Sequence, residues 1–181
     1  MTNLVIHPVD SSTDFLEGVY EHLEDYVWSN AINYMDTAQL IRNAHKVFMM
    51  GHGCPSGLFN TVLNEDLLLV KDTNVLDLRR NIDGHVYIWC NADKFVERYK
   101  LKGFYTGMFI SEVGEARIML PYRTDIDQEV VDESNYKFVE SISQVINESS
   151  YEIYKHVKET YGEIVDTNPV AKYNHDRLYW R

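Results

Sequence analysis

The stretch Lys46-Val-Phe-Met-Met-Gly-His52-Gly53 decides how this sequence folds. Its continuous apolar run is typical of a strand that is buried on both faces, as the strands of parallel sheets are. A second run of the same kind, His85-Val-Tyr-Ile-Trp-Cys90, follows after one helical segment. In an open α/β sheet, reactive side chains collect where strands end at the carboxyl edge. We therefore expect His52 and Cys90 to lie near each other.

Outside these two runs, short apolar segments alternate with segments of helical periodicity, which predicts an α/β fold. We expect strands at residues 4–9, 26–29, 47–50, 104–110 and 116–120, and in the run that ends at Cys90. We expect helices after Thr13 and after Asp36, from residue 72 or 73 to residue 79, and twice within 127–161, with a break near 148–150. The predicted architecture is a three-layer α/β/α sandwich with a mainly parallel sheet, formed as a single domain over residues 1–181.

Two further segments are singled out by their composition. Residues 53–57 are rich in Gly and Pro and predict a loop after His52. The apolar runs at 58–62 and 67–70 then predict a two-stranded hairpin. The aromatic-rich tail, 169–181, is expected to pack against the domain.

Composition and charge restrict the classes of partner. The chain has 181 residues, of which 45% are hydrophobic and 13% aromatic, as in one ordinary globular domain. Its net charge of −11 comes from 28 acidic and 17 basic residues, and such a surface repels nucleic acid. No segment approaches the roughly 20 apolar residues of a membrane helix, and the amino terminus has no signal-peptide pattern. We expect a cytoplasmic protein that binds neither nucleic acid nor membrane.

The two cysteines, Cys54 and Cys90, are too few for a disulfide framework and have no metal-ligand spacing. We therefore expect no metal, and the thiol chemistry considered below requires no cofactor. Cys54 precedes a proline in a loop, whereas Cys90 ends an apolar strand, so Cys90 is the better candidate nucleophile. A thiol needs a base to become a thiolate, and the imidazole of His52 is suited to that task. The amides of Gly53 and Cys90 are candidates for an oxyanion hole, since glycine allows close approach to the backbone.

The run before His52-Gly53, the hairpin after it and the second run ending in Cys90 resemble the layout of caspase-like cysteine peptidases. This group includes caspases, metacaspases, legumains, gingipains, separases and CHAT-type domains, and the resemblance covers about residues 3–120. It implies an endopeptidase that acts on a peptide or protein through an acyl-enzyme, with His52 as general base and Cys90 as nucleophile. The chain departs from the group at Trp89, where relatives have a small residue, and at residues 91–93, where they often have a glycine.

The same resemblance places the pocket for the residue before the cleaved bond along residues 105–115. Asp93, Glu112 or Glu115 would give this pocket an acidic floor that selects Arg or Lys. Arg117 would instead select an acidic residue. The overall negative charge favours a basic one.

Two other functions stay open at this stage. The first is a catalytically inactive caspase-like binding or regulatory module, in which Trp89 fills the cleft. The second is a flavodoxin-like or Rossmann-like domain that binds a small ligand at the same strand ends, although residues 51–57 lack the Lys-Ser/Thr of a phosphate-binding loop. At the end of the first strand, His7 and Asp10 are candidates to orient His52.

Overall fold

The structure, a computed structural model, describes residues 2–8, 10–29, 34–60 and 68–181, and each statement about it concerns those residues. The strands, in chain order, are β1 (Asn3–Ile6), β2 (Tyr26–Ser29), β3 (Val47–Met50), β4 (Gly53–Cys54), β5 (Gly57–Phe59), β6 (Leu68–Val70), β7 (His85–Ile88), β8 (Gly103–Thr106) and β9 (Leu178–Trp180). The α-helices are α1 (Tyr34–Asn43), α2 (Val75–Leu78), α3 (Ala92–Tyr99), α4 (Val113–Met119), α5 (Gln128–Ser143), α6 (Ser150–Thr160) and α7 (Pro169–His175). Short 3-10 helices span Asp14–Tyr20, Asp72–Asn74 and Tyr161–Ile164.

Within the described ranges, the main sheet has six strands in the order β2-β1-β3-β7-β8-β9. All neighbouring pairs are parallel except β8 and β9, which are antiparallel. The central strands β3 and β7 are buried at every position, which is why their sequences are continuous apolar runs rather than alternating ones. The predicted α/β fold with a mainly parallel sheet is confirmed.

Helices cover both faces of the main sheet, so the domain has three layers. The 3-10 helix Asp14–Tyr20, α5 and α6 pack on one face, over Phe48 of β3 and Val86 of β7. We call this side the α5 face. Helices α1, α2 and α3 pack on the other side, the α3 face, over Met49 and Tyr87. The alternation of side chains along each strand thus assigns every apolar residue of β3 and β7 to one of two clusters.

The order of the strands reverses between β1 and β3. The chain passes from β1 to β2 through the 3-10 helix on the α5 face, and from β2 to β3 through α1 on the α3 face. The loops after β1 and β3 therefore diverge, and a crevice opens between them at the carboxyl ends of the strands. In α/β sheets this is where ligands bind. Asp10 follows β1 and His52 follows β3, so the crevice lies between the segments that carry them.

A small antiparallel sheet, β4-β5-β6, follows directly after His52. The pairing of β5 with β6 confirms the predicted hairpin in part, since residues 61–67, where its turn and the adjoining strand ends were predicted, lie outside the described residues. Residues 53–57 were predicted to form a loop, but they include a pair of antiparallel strand ends as well as a turn. Gly53 pairs with Leu58, and Cys54 with Gly57, around a two-residue turn.

The prediction of a strand at 116–120 was wrong, because these residues belong to α4 and its end. Ala116 is the buried residue of that helix, while Ile118 and Met119 are 73% and 36% exposed. Their apolar character therefore reflects no buried strand. The two helices predicted within 127–161 are confirmed by α5 and α6.

The aromatic tail packs as expected, since α7 leads into β9, which lies along the free edge of β8. Across the part of the chain that the structure describes, no helix combines the length and the apolar character needed to cross a membrane.

Candidate functional site

The pairing register of β3 and β7 aligns the strand ends that precede His52 and Cys90. Met50 pairs with Ile88, and the amide of Gly51 extends the ladder by donating to the Ile88 carbonyl at 3.1 Å. Strand β3 ends at Met50 and β7 at Ile88, and His52 and Cys90 each lie two residues beyond these ends. The register therefore places the two segments that carry the predicted dyad next to each other at the carboxyl edge of the sheet.

His52 and Cys90 also line one cleft, with a volume of about 580 Å³, at the carboxyl edge of the sheet. The other described residues that line it are Asp10, Gly53, Phe59, Asn91, Met108 and Glu115. The structure thus brings together the predicted base, the predicted nucleophile, both predicted oxyanion residues and one of the predicted acidic residues.

The imidazole of His52 is held from the loop that follows β1. Its Nε2 lies 2.6 Å from Oγ of Ser12 and 3.3 Å from Oδ2 of Asp10. The side chain of His52 is 34% exposed, so it keeps access to the cleft. Of the two residues that the sequence offered to orient His52, Asp10 contacts it, whereas His7 is fully buried and bonds to Tyr20 instead.

Asp10 is an anion held in a network. Partial burial by itself would raise the pKa of its carboxyl group. The hydrogen bonds from the hydroxyl and the amide of Ser12, the charge of His52 and the bond with Thr13 together outweigh burial and hold this pKa below its usual value. Asp10 is therefore a carboxylate at neutral pH and accepts hydrogen bonds only.

Cys90 rests as a protonated thiol. Burial raises the pKa of this thiol to about 11, and the charge of Glu115 acts in the same direction, against the effect of the bond to Phe109. The Sγ atom donates to the carbonyl of Phe109 at 3.4 Å. The nucleophile would therefore need a base at the moment of reaction.

Trp89 lies on the α3 face, away from the thiol. Its side chain is 2% exposed and packs with Phe95 in the cluster on that side, while Cys90 packs against the cluster on the α5 face. The indole Nε1 donates to the carbonyl of Cys54 at 3.2 Å. The bulky residue that departs from the caspase-like pattern thus joins β7 to β4 and does not fill the cleft.

The backbone around Gly53 suits a donor role. The amide of Phe59 donates to the carbonyl of His52 at 2.9 Å, which makes these two residues the hydrogen-bonded pair of the β4–β5 ladder. The next pair, Gly53 with Leu58, is then a non-hydrogen-bonded one, so the amide of Gly53 points away from β5. Gly53 also lines the cleft, as Cys90 does.

The proposed acidic residues separate into two groups. Glu115 lines the cleft, and its Oε2 accepts bonds from the amide and the hydroxyl of Ser111 at 2.8 Å and 3.2 Å. Asp93 is buried on α3, with Oδ2 3.0 Å from Nζ of Lys94, and Glu112 is exposed just before α4. Neither Asp93 nor Glu112 is among the described residues that line the cleft.

Ser12 contacts His52 but was not among the residues that the sequence singled out. The available signal was its place in the Asp10-Ser-Ser turn, directly after the first strand and at the edge where His52 was expected. Arg117, the alternative residue for an acidic substrate, is exposed on α4 and lies outside the described lining of the cleft.

Comparison of this chain with protein-family models, with curated proteins and with solved structures returns no match. The resemblance to caspase-like peptidases therefore rests on His52, Cys90 and the segments between them.

Proposed function

We propose that this protein is a cysteine endopeptidase of the caspase-like type, with His52 as general base and Cys90 as nucleophile. The observation that carries the proposal is that His52 and Cys90, which follow the paired ends of β3 and β7, line one cleft. The hairpin after His52 and the mainly parallel sheet agree with the layout that the resemblance implies.

The resting thiol determines the order of the steps. When a peptide fills the cleft, His52 accepts the proton of the Cys90 thiol, and the sulfur attacks the carbonyl carbon of the scissile bond. The amides of Gly53 and Cys90 donate to the oxygen that becomes negative. His52 then returns the proton to the leaving amine, and water hydrolyses the resulting acyl-enzyme. No metal or cofactor takes part in this scheme.

The charge of the cleft favours cleavage after a basic residue. Asp10 and Glu115 are acidic groups in its lining, and the lining residues include no Lys or Arg among the described part of the chain. The apolar side chains of Phe59 and Met108 give the same cleft surface for the aliphatic stem of Lys or Arg. We propose a peptide or protein substrate in the cytoplasm, where a reducing environment keeps Cys54 and Cys90 as thiols.

A second candidate function is binding of a small ligand without chemistry. The reversal of the strand order at β1 and β3 favours it, because flavodoxin-like domains bind ligands at this point of the sheet. An inactive caspase-like module is the third candidate, and the position of Trp89 outside the cleft argues against it.

The test is peptidase activity on reporter peptides that end in Arg, Lys or Asp, measured for the natural protein and for Cys90→Ala and Cys54→Ala. We expect cleavage after Arg or Lys, a loss of at least about 10³-fold in Cys90→Ala, and near-normal activity in Cys54→Ala. Cys54 is the matched control because it is the other thiol and its side chain accepts a local bond, from the amide of Ser56.

The rate of alkylation by iodoacetamide is an independent measure of the reactivity of Cys90. Because Cys90 rests as a protonated thiol, its alkylation at pH 7.5 should be slow, but it should be faster when His52 is present than in His52→Ala, since His52 accepts the proton as the sulfur attacks. Activity that survives Cys90→Ala, or no cleavage of any of the three reporters together with equal alkylation rates in the natural protein and His52→Ala, would reject the peptidase in favour of the binding functions.

A further inference from the structure

The ring nitrogen of His52 that faces the loop after β1 has two oxygen neighbours. Nε2 is 2.6 Å from Oγ of Ser12 and 3.3 Å from Oδ2 of Asp10. The carboxylate of Asp10 has no proton to give, and the hydroxyl of Ser12 has one. The positions of these few protons decide which tautomer of the neutral imidazole the site selects.

The proton of the Ser12 hydroxyl is directed to Asp10. Oδ1 of Asp10 lies 2.7 Å from the Ser12 hydroxyl and also accepts the amide of Ser12 at 2.9 Å, which closes a tight turn. The oxygen of Ser12 is then free to accept a bond from His52. If Nε2 carried a lone pair instead of a proton, that lone pair would face the Oδ2 lone pairs of an anionic carboxylate at 3.3 Å, which is repulsive.

We infer that Asp10 and Ser12 are positioning residues that hold the neutral imidazole of His52 as the tautomer protonated on Nε2, which makes Nδ1 the basic atom. The inference deepens the proposed function and rests on it where it makes Nδ1 the acceptor of the Cys90 proton. The tautomer itself does not depend on peptidase activity. The same assignment supplies the Asp-His orientation by which many hydrolases fix their base.

A buried histidine secures the turn that carries both positioning residues. His7 is fully buried and donates from Nε2 to the carbonyl of Thr13 at 3.1 Å, while its Nδ1 accepts from the hydroxyl of Tyr20. The amide of Thr13 donates to the carbonyl of Asp10 at 3.0 Å. The Thr13 end of the turn is thus attached to the residue that follows β1, and its amide closes the turn on Asp10, so Asp10 and Ser12 meet the imidazole at a fixed place.

The charged and titratable groups around His52 come from three elements. Asp10 belongs to the loop after β1, Cys90 follows β7, and Glu115 belongs to α4, and all three line the cleft with His52. Of these three groups, Asp10 contacts the imidazole ring, at Nε2. Changes at Asp10 should therefore alter the tautomer directly, whereas changes at Glu115 should alter only the charge of the cleft.

The test is nitrogen-15 NMR of the histidine-labelled full chain, which distinguishes protonation at Nε2 from protonation at Nδ1. For the natural protein at pH 8 we expect His52 to be protonated on Nε2. In Asp10→Asn the amide of the new side chain can donate to Nε2, so the population should shift to the tautomer protonated on Nδ1. Peptidase kcat should fall by about 10²-fold or more with a smaller change in KM, as for the wrong tautomer in other hydrolases.

Ser12→Ala and Ser12→Thr form a matched pair, because threonine keeps the hydroxyl group. We expect a mixture of tautomers in Ser12→Ala and the natural tautomer in Ser12→Thr. Ser11→Ala is the control, since Ser11 is exposed beside the same turn. Thermal unfolding of each variant verifies that the fold is retained.

The failure of this inference can be told apart from the failure of the proposed function. A natural protein whose His52 is protonated on Nδ1, or an Asp10→Asn variant whose tautomer is unchanged, overturns the inference even if peptides are cleaved. A natural protein protonated on Nε2 that cleaves no peptide leaves the tautomer assignment supported and rejects the peptidase.

Discussion

At the scale of single residues, Gly53 has a packing role beside its candidate role as a donor. A Cβ atom added at Gly53 would lie 2.3 Å from Cδ1 of Trp89 and 2.7 Å from the carbonyl oxygen of Gly57. The indole of Trp89 therefore occupies the space that a side chain at residue 53 would need. Because Gly53 has no side chain, the indole of Trp89 can pack directly against it. This contact joins β4 to the end of β7 beside the cleft.

We predict that Gly53→Ala destabilises the protein by about 1–3 kcal/mol, since overpacking of a filled site forces shifts of that cost. Gly114→Ala is the control, because no atom of the described residues lies within 4 Å of a Cβ atom built at this position of α4. It should be neutral or stabilising by up to about 1 kcal/mol, as alanine favours a helix. Urea unfolding measures both changes. Equal free energies of unfolding for the two variants would contradict this account of Gly53.

The site could be predicted from the sequence only where a strand carries it. His52 and Cys90 could be predicted because each ends a continuous apolar run, and the register of the two parallel strands aligns the ends of these runs. Ser12 was missed because its place depends on a turn whose geometry no periodicity encodes. The direction in which the side chain of Asp93 points could not be predicted either, because it depends on the rotation of α3 about its axis against the sheet.

At the scale of elements, β9 completes the main sheet. It pairs with β8 in the antiparallel sense and covers an edge that would otherwise expose unpaired backbone groups. Leu178 of β9 is 3% exposed and belongs to the apolar cluster of the α5 face. The sequence predicted that this tail packs but not that it forms a strand, because three residues are too few to show a period of two.

We predict that Leu178→Ala lowers the free energy of unfolding by about 2–5 kcal/mol, the usual cost of a cavity at a buried leucine. Leu76→Ala makes the same chemical change at a residue of α2 that is 74% exposed, and should change this free energy by less than about 0.5 kcal/mol. Chemical unfolding followed by circular dichroism measures the pair. Similar losses for both variants would show that β9 contributes nothing specific to the core.

At the scale of the whole molecule, two buried neutral histidines secure the two ends of the sheet. His7 holds the turn after β1 at the carboxyl edge. His85 lies at the other edge, where its Nδ1 accepts the amide of Val47 at 3.0 Å and its Nε2 donates to the carbonyl of Leu78 at 2.9 Å. It thereby joins β3, β7 and α2. Burial lowers the pKa of each histidine from 6.5 to about 4.

These two histidines should make the fold sensitive to mild acid. In the unfolded chain each titrates near 6.5, so between pH 6.5 and pH 4 the unfolded state binds more protons than the folded state. The free energy of unfolding therefore decreases as the pH falls through this window, by up to about 3 kcal/mol for each histidine. The loss linked to Asp10 belongs to lower pH, below the 3.8 of an unperturbed carboxyl group.

We predict that the free energy of unfolding, measured in urea at intervals between pH 7.5 and pH 4.5, falls steeply below pH 6.5. His85→Gln should lower the stability at pH 7 and make its fall with pH shallower, because one of the two responsible protons is no longer taken up on unfolding. The control is His22→Gln, whose side chain is exposed and should leave the slope unchanged. A slope in His85→Gln equal to that of the natural protein would mean that His85 is not neutral in the folded state. The Val47 amide bond to Nδ1 would then have to be absent, since a charged imidazole has no lone pair to accept it.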